Sequence, residues 1–132
     1  MKHQVTIISD DCRIEVGNKV SLLGIYDEAI VFKNLPSRLL KLAFYQRWTD
    51  FPASEKVVIS IRGSALGDQE FSFDAMPANR PKPATPARIT AIMGPIDFLR
   101  EGDVEFRTFL NNEKEPSHSH KIEVKTDPTS KL

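Results

Sequence analysis

Apolar and polar residues alternate with a period of two through most of the chain. In "LLKLAFYQRW" (39–48) the row Leu40, Leu42, Phe44, Gln46 and Trp48 opposes Lys41, Ala43, Tyr45 and Arg47. In "KVVISIR" (56–62) Val57, Ile59 and Ile61 oppose Lys56, Val58, Ser60 and Arg62. "QEFSFDA", "DVEFRTFL" and "HKIEVK" repeat the pattern with Phe71/Phe73, Val104/Phe106/Thr108/Leu110 and Ile122/Val124 on their apolar sides. Such alternation places one face of a strand on a core and the other on solvent. "QVTIIS", "CRIEV", "KVSLLGIY", "AIVF" and "ARITAIM" (87–93) add further strand candidates.

The gaps between runs carry turn chemistry: Gly17-Asn18, Leu35-Pro36-Ser37, Gly63, Gly67-Asp68, Gly102-Asp103 and Asn111-Asn112. The pattern predicts an all-β protein. Its expected architecture is an antiparallel β-sandwich, immunoglobulin-like or C2-like, with seven to nine strands and very little helix. A core of Ile7, Ile14, Val20, Leu22, Leu42, Phe44, Val57, Ile59, Phe71, Phe73, Ile89, Val104, Phe106, Ile122 and Val124 follows from it. Two stretches break the pattern. "MPANRPKPATP" (76–86) holds four of the nine prolines and reads as an extended loop. "GPIDFLREG" (94–102) reads as one helical turn. One domain over 1–126 and a flexible tail over 127–132 complete the organisation.

Composition narrows the functional classes. Eighteen basic residues balance eighteen acidic ones among 132. That balance removes the general attraction to nucleic acid or anionic membranes. Cys12 is the single cysteine, so no internal disulfide is expected. No stretch reads as a signal peptide or a membrane span, which points to the cytoplasm.

The candidate chemistries are thin. Asp10, Asp11, Asp27, Glu28, Asp50, Asp68, Asp74 and Asp97 lie near strand ends, where calcium-binding sandwiches carry their ligands. They are dispersed, and aspartate favours turns without any metal. His118 and His120 lie two apart in "SHSH", on one side of a strand, but a structural zinc needs four ligands. No G-x-S-x-G and no phosphate-binding glycine loop is present, and Cys12 fits a small apolar core residue. No catalytic residue, metal or cofactor is expected, and the chain reads as a non-enzyme.

The alternation leaks at one point. Tyr45, Val58, Ile92 and Phe109 occupy registers that should face water, near Lys41, Arg47, Arg62, Arg88 and Arg107. Aromatics mixed with arginine are the composition of a protein contact. Tyr45, Arg47, Val58, Ile92 and Phe109 are therefore the expected partner-binding residues. The partner would be another protein chain, a second copy included. Cover by the proline-rich loop, or burial on both faces, would equally account for the leak. A calcium-, lipid-headgroup- or carbohydrate-binding sandwich is the alternative class.

At "DDCRIEVGNKVSLLGIYDEAIVFKNLP" the chain resembles a family of small bacterial and phage-associated proteins known only as a domain of unknown function. Gly17, Lys19, Gly24, Ile25, Tyr26, Asp27 and Pro36 carry the resemblance, with Asn18 inserted after Gly17. Gly102, Val104, Phe106 and Asn111-Asn112 continue it, Val104 standing where the family has an aromatic. The resemblance implies a β-sandwich, no catalytic residues and, through a phage or mobile-element setting, inhibition of a host system by occupying a partner surface. Gly24 is expected to mark a bulge or a close backbone approach.

Overall fold

A computed structural model describes residues 2–17, 19–51, 56–77 and 87–129. It is all-β. Eleven strands are described: β1 (Lys2–Glu15), β2 (Lys19–Tyr26), β3 (Ala29–Phe32), β4 (Ser37–Leu39), β5 (Leu42–Thr49), β6 (Val57–Arg62), β7 (Phe71–Pro77), β8 (Ala87–Met93), β9 (Ile96–Phe98), β10 (Gly102–Leu110) and β11 (His118–Thr126). The described helical structure is one 3-10 turn, Ser64–Leu66.

Nine strands form one sheet in the order β2-β1-β5-β8-β7-β6-β10-β11-β3, while β4 and β9 pair separately. The main sheet is mixed, because β3 runs parallel to β11 while its other pairs are antiparallel. This corrects the purely antiparallel expectation. The reason lies in the link between β2 and β3. Only Asp27 and Glu28 separate them, yet they occupy opposite edges of the sheet. The sheet therefore curls until its edges meet, and it is nearly barrel-shaped. Glu123 N donates to Glu28 O across that corner, at 3.1 Å.

The core fills the interior of the curl. Phe44 of β5 lies opposite Phe106 of β10, with ring centroids 6.4 Å apart. Leu42, Val57, Ile59, Ile89, Val104, Ile122 and Val124 are buried as the alternation predicts. Phe71 and Phe73 are only partly buried and pack against the cluster from its rim. Ile7 gives way to Ile8, because the registers Ile8↔Phe44 and Ile7↔Tyr45 turn Ile8 inward. Two adjacent isoleucines leave alternation no means of choosing between them.

Ile14 is the clearest departure, at 67% exposed. "QVTIIS" and "CRIEV" form one continuous strand, β1, whose pairing with β5 ends at Ser9↔Ala43. Beyond Ser9 the β1–β2 hairpin outruns β5, so no opposing wall covers Ile14 and only partly buried positions remain for Val20 and Leu22. Leu40 is likewise exposed, in the break between β4 and β5.

"GPIDFLREG" contains a strand and no helical turn. Ile96 and Phe98 are buried while Asp97 points out to Arg38, giving β9 a short period-two pattern of its own. The end of the proline-rich stretch, 78–86, and the last part of the expected tail, 130–132, lie outside the described residues. Before that tail, Asp127 N donates to Phe32 O at 2.8 Å.

Candidate functional site

The corner after β2 is a scaffold feature. Gly24 has φ +67°, and a Cβ added there would lie 2.2 Å from Asp10 Oδ2. The backbone thus lets the Asp10 carboxylate lie over residue 24, where it accepts a hydrogen bond from the Tyr26 hydroxyl. Burial, reinforced by that carboxylate, raises the Tyr26 phenol above its ordinary pKa. Asp27 and Glu28 are exposed at the bend. Gly24 is the close approach the sequence suggests.

The five residues expected to bind a partner fall into two groups. Tyr45 pairs with Ile7 and Thr90, Arg47 with Val5 and Arg88, and Ile92 with Ala43, all on the outer side of β1, β5 and β8. Val58 and Phe109 pair with each other on β6 and β10. Because Phe44 and Phe106 meet inside, the intervening side chains of β5 and β10 leave from opposite walls. The two groups are joined only around the β7–β8 bend. Arg107, beside Phe109, is committed within the chain. Its Nη2 donates to Glu70 at 2.8 Å, its Nε lies 3.8 Å from Glu105, and its guanidinium sits over the Phe109 ring.

That bend carries the apolar surface the sequence underrates. β7 and β8 are paired only at Met76↔Thr90 and Pro77↔Ile89, and toward Phe71 no further pairing joins them among the described residues. A groove of about 500 Å³ opens there, lined by Cys12, Ile14, Asp74, Met76, Thr90 and Ile92 together with Ala91. Met76 is 72% exposed and Ile92 53%, with Val16 at the nearby hairpin turn more exposed still. Cys12 is therefore a wall of this groove and not a core residue. Its thiol is pushed up, first by partial burial and then by the charge of Asp11.

A second cleft, also of about 500 Å³, is polar and lined by residues including Arg62, Asp68, Glu70, Asp103, Glu105 and Lys121. Two of its carboxylates, Glu70 and Glu105, have partners. Glu70 accepts from the Ser60 hydroxyl at 2.6 Å and from Arg107, and these contacts hold it below the usual carboxylate range. Glu105 is held down in the same way, first by Ser119 and then by Arg62. Among the described residues no group of three or more His, Cys, Asp or Glu side chains is placed to hold a metal.

The least anticipated feature is a polar chain inside the curl. Gln46 and Thr108 are completely buried. Gln46 Oε1 accepts from Trp48 Nε1 at 2.8 Å and from Thr108 Oγ1 at 2.9 Å, while its Nε2 donates to Thr6 Oγ1 at 2.9 Å. Thr6 Oγ1 then lies 2.6 Å from His3 Nε2. With Thr6 already accepting from Gln46, its hydroxyl proton completes the chain by donation to His3 Nε2, a tautomer assigned from this network.

All three histidines converge at the end of that chain. His3 stacks on His118, with centroids 3.6 Å apart and planes 10° apart, and both stand edge-on to Trp48. His120 lies opposite Phe106, on the inward register of β11. Burial lowers the pKa of each ring. Parallel rings cannot aim their in-plane lone pairs at one ion, so the stacked pair is not a zinc site. The sequence signal was present in the polar Gln46 and Thr108 within otherwise apolar rows. That those rows face each other is a tertiary fact.

Neither any protein-family model nor any curated protein matches the chain. No helix among the described residues is long and apolar enough to cross a membrane.

Proposed function

We propose that the chain is a non-enzymatic protein-binding module that takes an extended apolar segment of a partner into the groove where β7 and β8 part. One observation carries this reading: an exposed apolar groove lies at an incomplete ladder. Parting strands offer main-chain donors and acceptors on both sides, and an added strand satisfies them. Ile14, Met76 and Ile92 would then take alternate side chains of the guest, giving specificity beyond the main-chain pairing. Of the sequence-derived site, Ile92 belongs to this surface and Tyr45 and Arg47 flank it on β5. Val58 and Phe109 lie on the opposite wall and are proposed to contribute nothing to it. The near-barrel is best read as a flattened sandwich, supported by the packing of Phe44 on Phe106 and the Gln46–Thr108 bond across its interior.

Selection from a displayed library of extended nonapeptides tests the proposal. Enriched peptides should alternate apolar residues, shift the amide resonances of β7 and β8, and lose binding at least tenfold to Ile92→Asp. Peptides that shift only the β6–β10 wall, or that bind Ile92→Asp unchanged, would overturn it.

A further inference from the structure

β1 and β11 come together at His3 and His118 without a ladder. Lys2–Ile7 of β1 is paired only with β5 and His118–Ile122 of β11 only with β10, and no described pairing joins these two segments. At one end the β2–β3 corner ties them together. At the other, the gap between Lys2–Ile7 and the start of β11 is bridged by the stacked rings of His3 and His118. The near-barrel thus has a seam here, and imidazoles close its end.

We propose that this seam is a pH-operated latch: neutral His3 and His118 hold it shut by stacking, and their protonation in mildly acidic solution parts β1 from β11. Two neutral imidazoles stack favourably, whereas two imidazolium ions at this separation, partly shielded from water, repel. A protonated His3 also loses its role as acceptor for Thr6, so Thr6 must turn its hydroxyl away. Opening the seam exposes two strand edges and admits water to Gln46 and Thr108.

Among the described residues the surroundings offer no countercharge. From β1 the cluster meets Thr6, from β5 Gln46 and Trp48, from β10 Phe106 and Thr108, and from β11 His120. Lys2, Arg47, Glu105, Arg107 and Lys121 occupy the alternate registers of the same strands and point outward. Glu113, Lys114 and Glu115, in the turn before β11, are exposed. The charges acting on His3 are those of His118 and His120, and the charge acting on His120 is that of His118.

The direction of the effect follows. Each folded-state pKa lies below the ordinary value of 6.5, so the unfolded or opened form binds more protons below that pH. The closed seam is fully favoured above about pH 6.5 and loses stability as pH falls from there toward the lowered pKa values.

Imidazole titration by NMR on the full chain, with amide-exchange protection factors at pH 7.5 and pH 5, tests the latch. His3 and His118 should titrate below the ordinary range. In step with them, protection of Lys2–Ile7 and His118–Ile122 should fall at least tenfold while β6 keeps its own. His118→Gln cannot carry charge, and it should remove most of the pH dependence. Unchanged wild-type protection at pH 5 would overturn the proposal, as would an equal fall in His118→Gln. If that variant does not fold, the wild-type titration decides alone.

Discussion

Replacing Gln46 with leucine tests the reading of the interior most sharply. Gln46 is completely buried and its Oε1 is the shared acceptor of Trp48 Nε1 and Thr108 Oγ1. Leucine has similar bulk but accepts nothing, so two buried donors lose their partner. An orphaned buried donor costs about 1–3 kcal/mol, and the Thr108 hydroxyl, free to rotate, falls at the low end. Exchanging an amide for apolar bulk returns on the order of 1–2 kcal/mol. The net expected loss for Gln46→Leu is about 2 kcal/mol. Thr108→Val alone removes a donor while Gln46 keeps Trp48, at a cost of about 1 kcal/mol. In the double variant the orphaned hydroxyl is gone, so the two losses should fall short of additive by about 1 kcal/mol. Urea unfolding at pH 8, followed by the fluorescence of Trp48, the single tryptophan, reads all three. A loss under about 0.5 kcal/mol for Gln46→Leu, or strict additivity in the cycle, would refute the shared-acceptor argument.

Other outcomes follow from the same geometry. Phe106→Ala should cost about 3–5 kcal/mol in the same assay, since the ring is almost wholly buried against Phe44. Phe73→Ala should cost less, because Phe73 is only partly buried at the rim. Gly63→Ala should lower the melting temperature markedly, by several degrees at least: Gly63 has φ +149°, and a Cβ there would meet the Asp103 carbonyl oxygen at 2.1 Å. Ile14→Ser should change stability by no more than about 0.5 kcal/mol in urea titration, since the side chain stands in solvent beyond the end of β5.

Period-two alternation was enough to read most of the strands and most of the core, though not β4 or β9. "ARITAIM" matches β8 residue for residue, and the inward rows of β6, β10 and β11 are those the pattern predicts. It misread places where burial depends on how far a neighbour extends. Ile14 shares the register of Ile8, yet β5 stops opposite Ser9 and leaves Ile14 uncovered. The β9 segment is too short to show a period before its partner β4 is known. The candidate site was legible only in part. Ile92 could be flagged as an apolar residue in an outward register. Met76 could not, because its exposure follows from the parting of β7 and β8. His3 and His118 are far apart in sequence, and only closure of the sheet makes them neighbours.

The two-residue link between β2 and β3 also shapes how the chain reaches this fold. β3 has a single ladder, its parallel register Ala29↔Glu123 through Thr126↔Phe32 with β11. It therefore stays unpaired until β11 has been synthesised. At ribosomal rates of about 5–20 residues per second, that wait is on the order of 5–20 seconds. Pairing so non-local also places folding in the slow, millisecond-to-second class. Throughout the wait "AIVF" is a short apolar β-forming run whose Ile30 and Phe32 are destined for the core but uncovered. Such segments seed aggregation unless charges flank them. Asp27 and Glu28 stand immediately before it and Lys33 immediately after. The acids that first suggest a metal site are placed to act as gatekeepers, keeping nascent chains apart until β11 arrives.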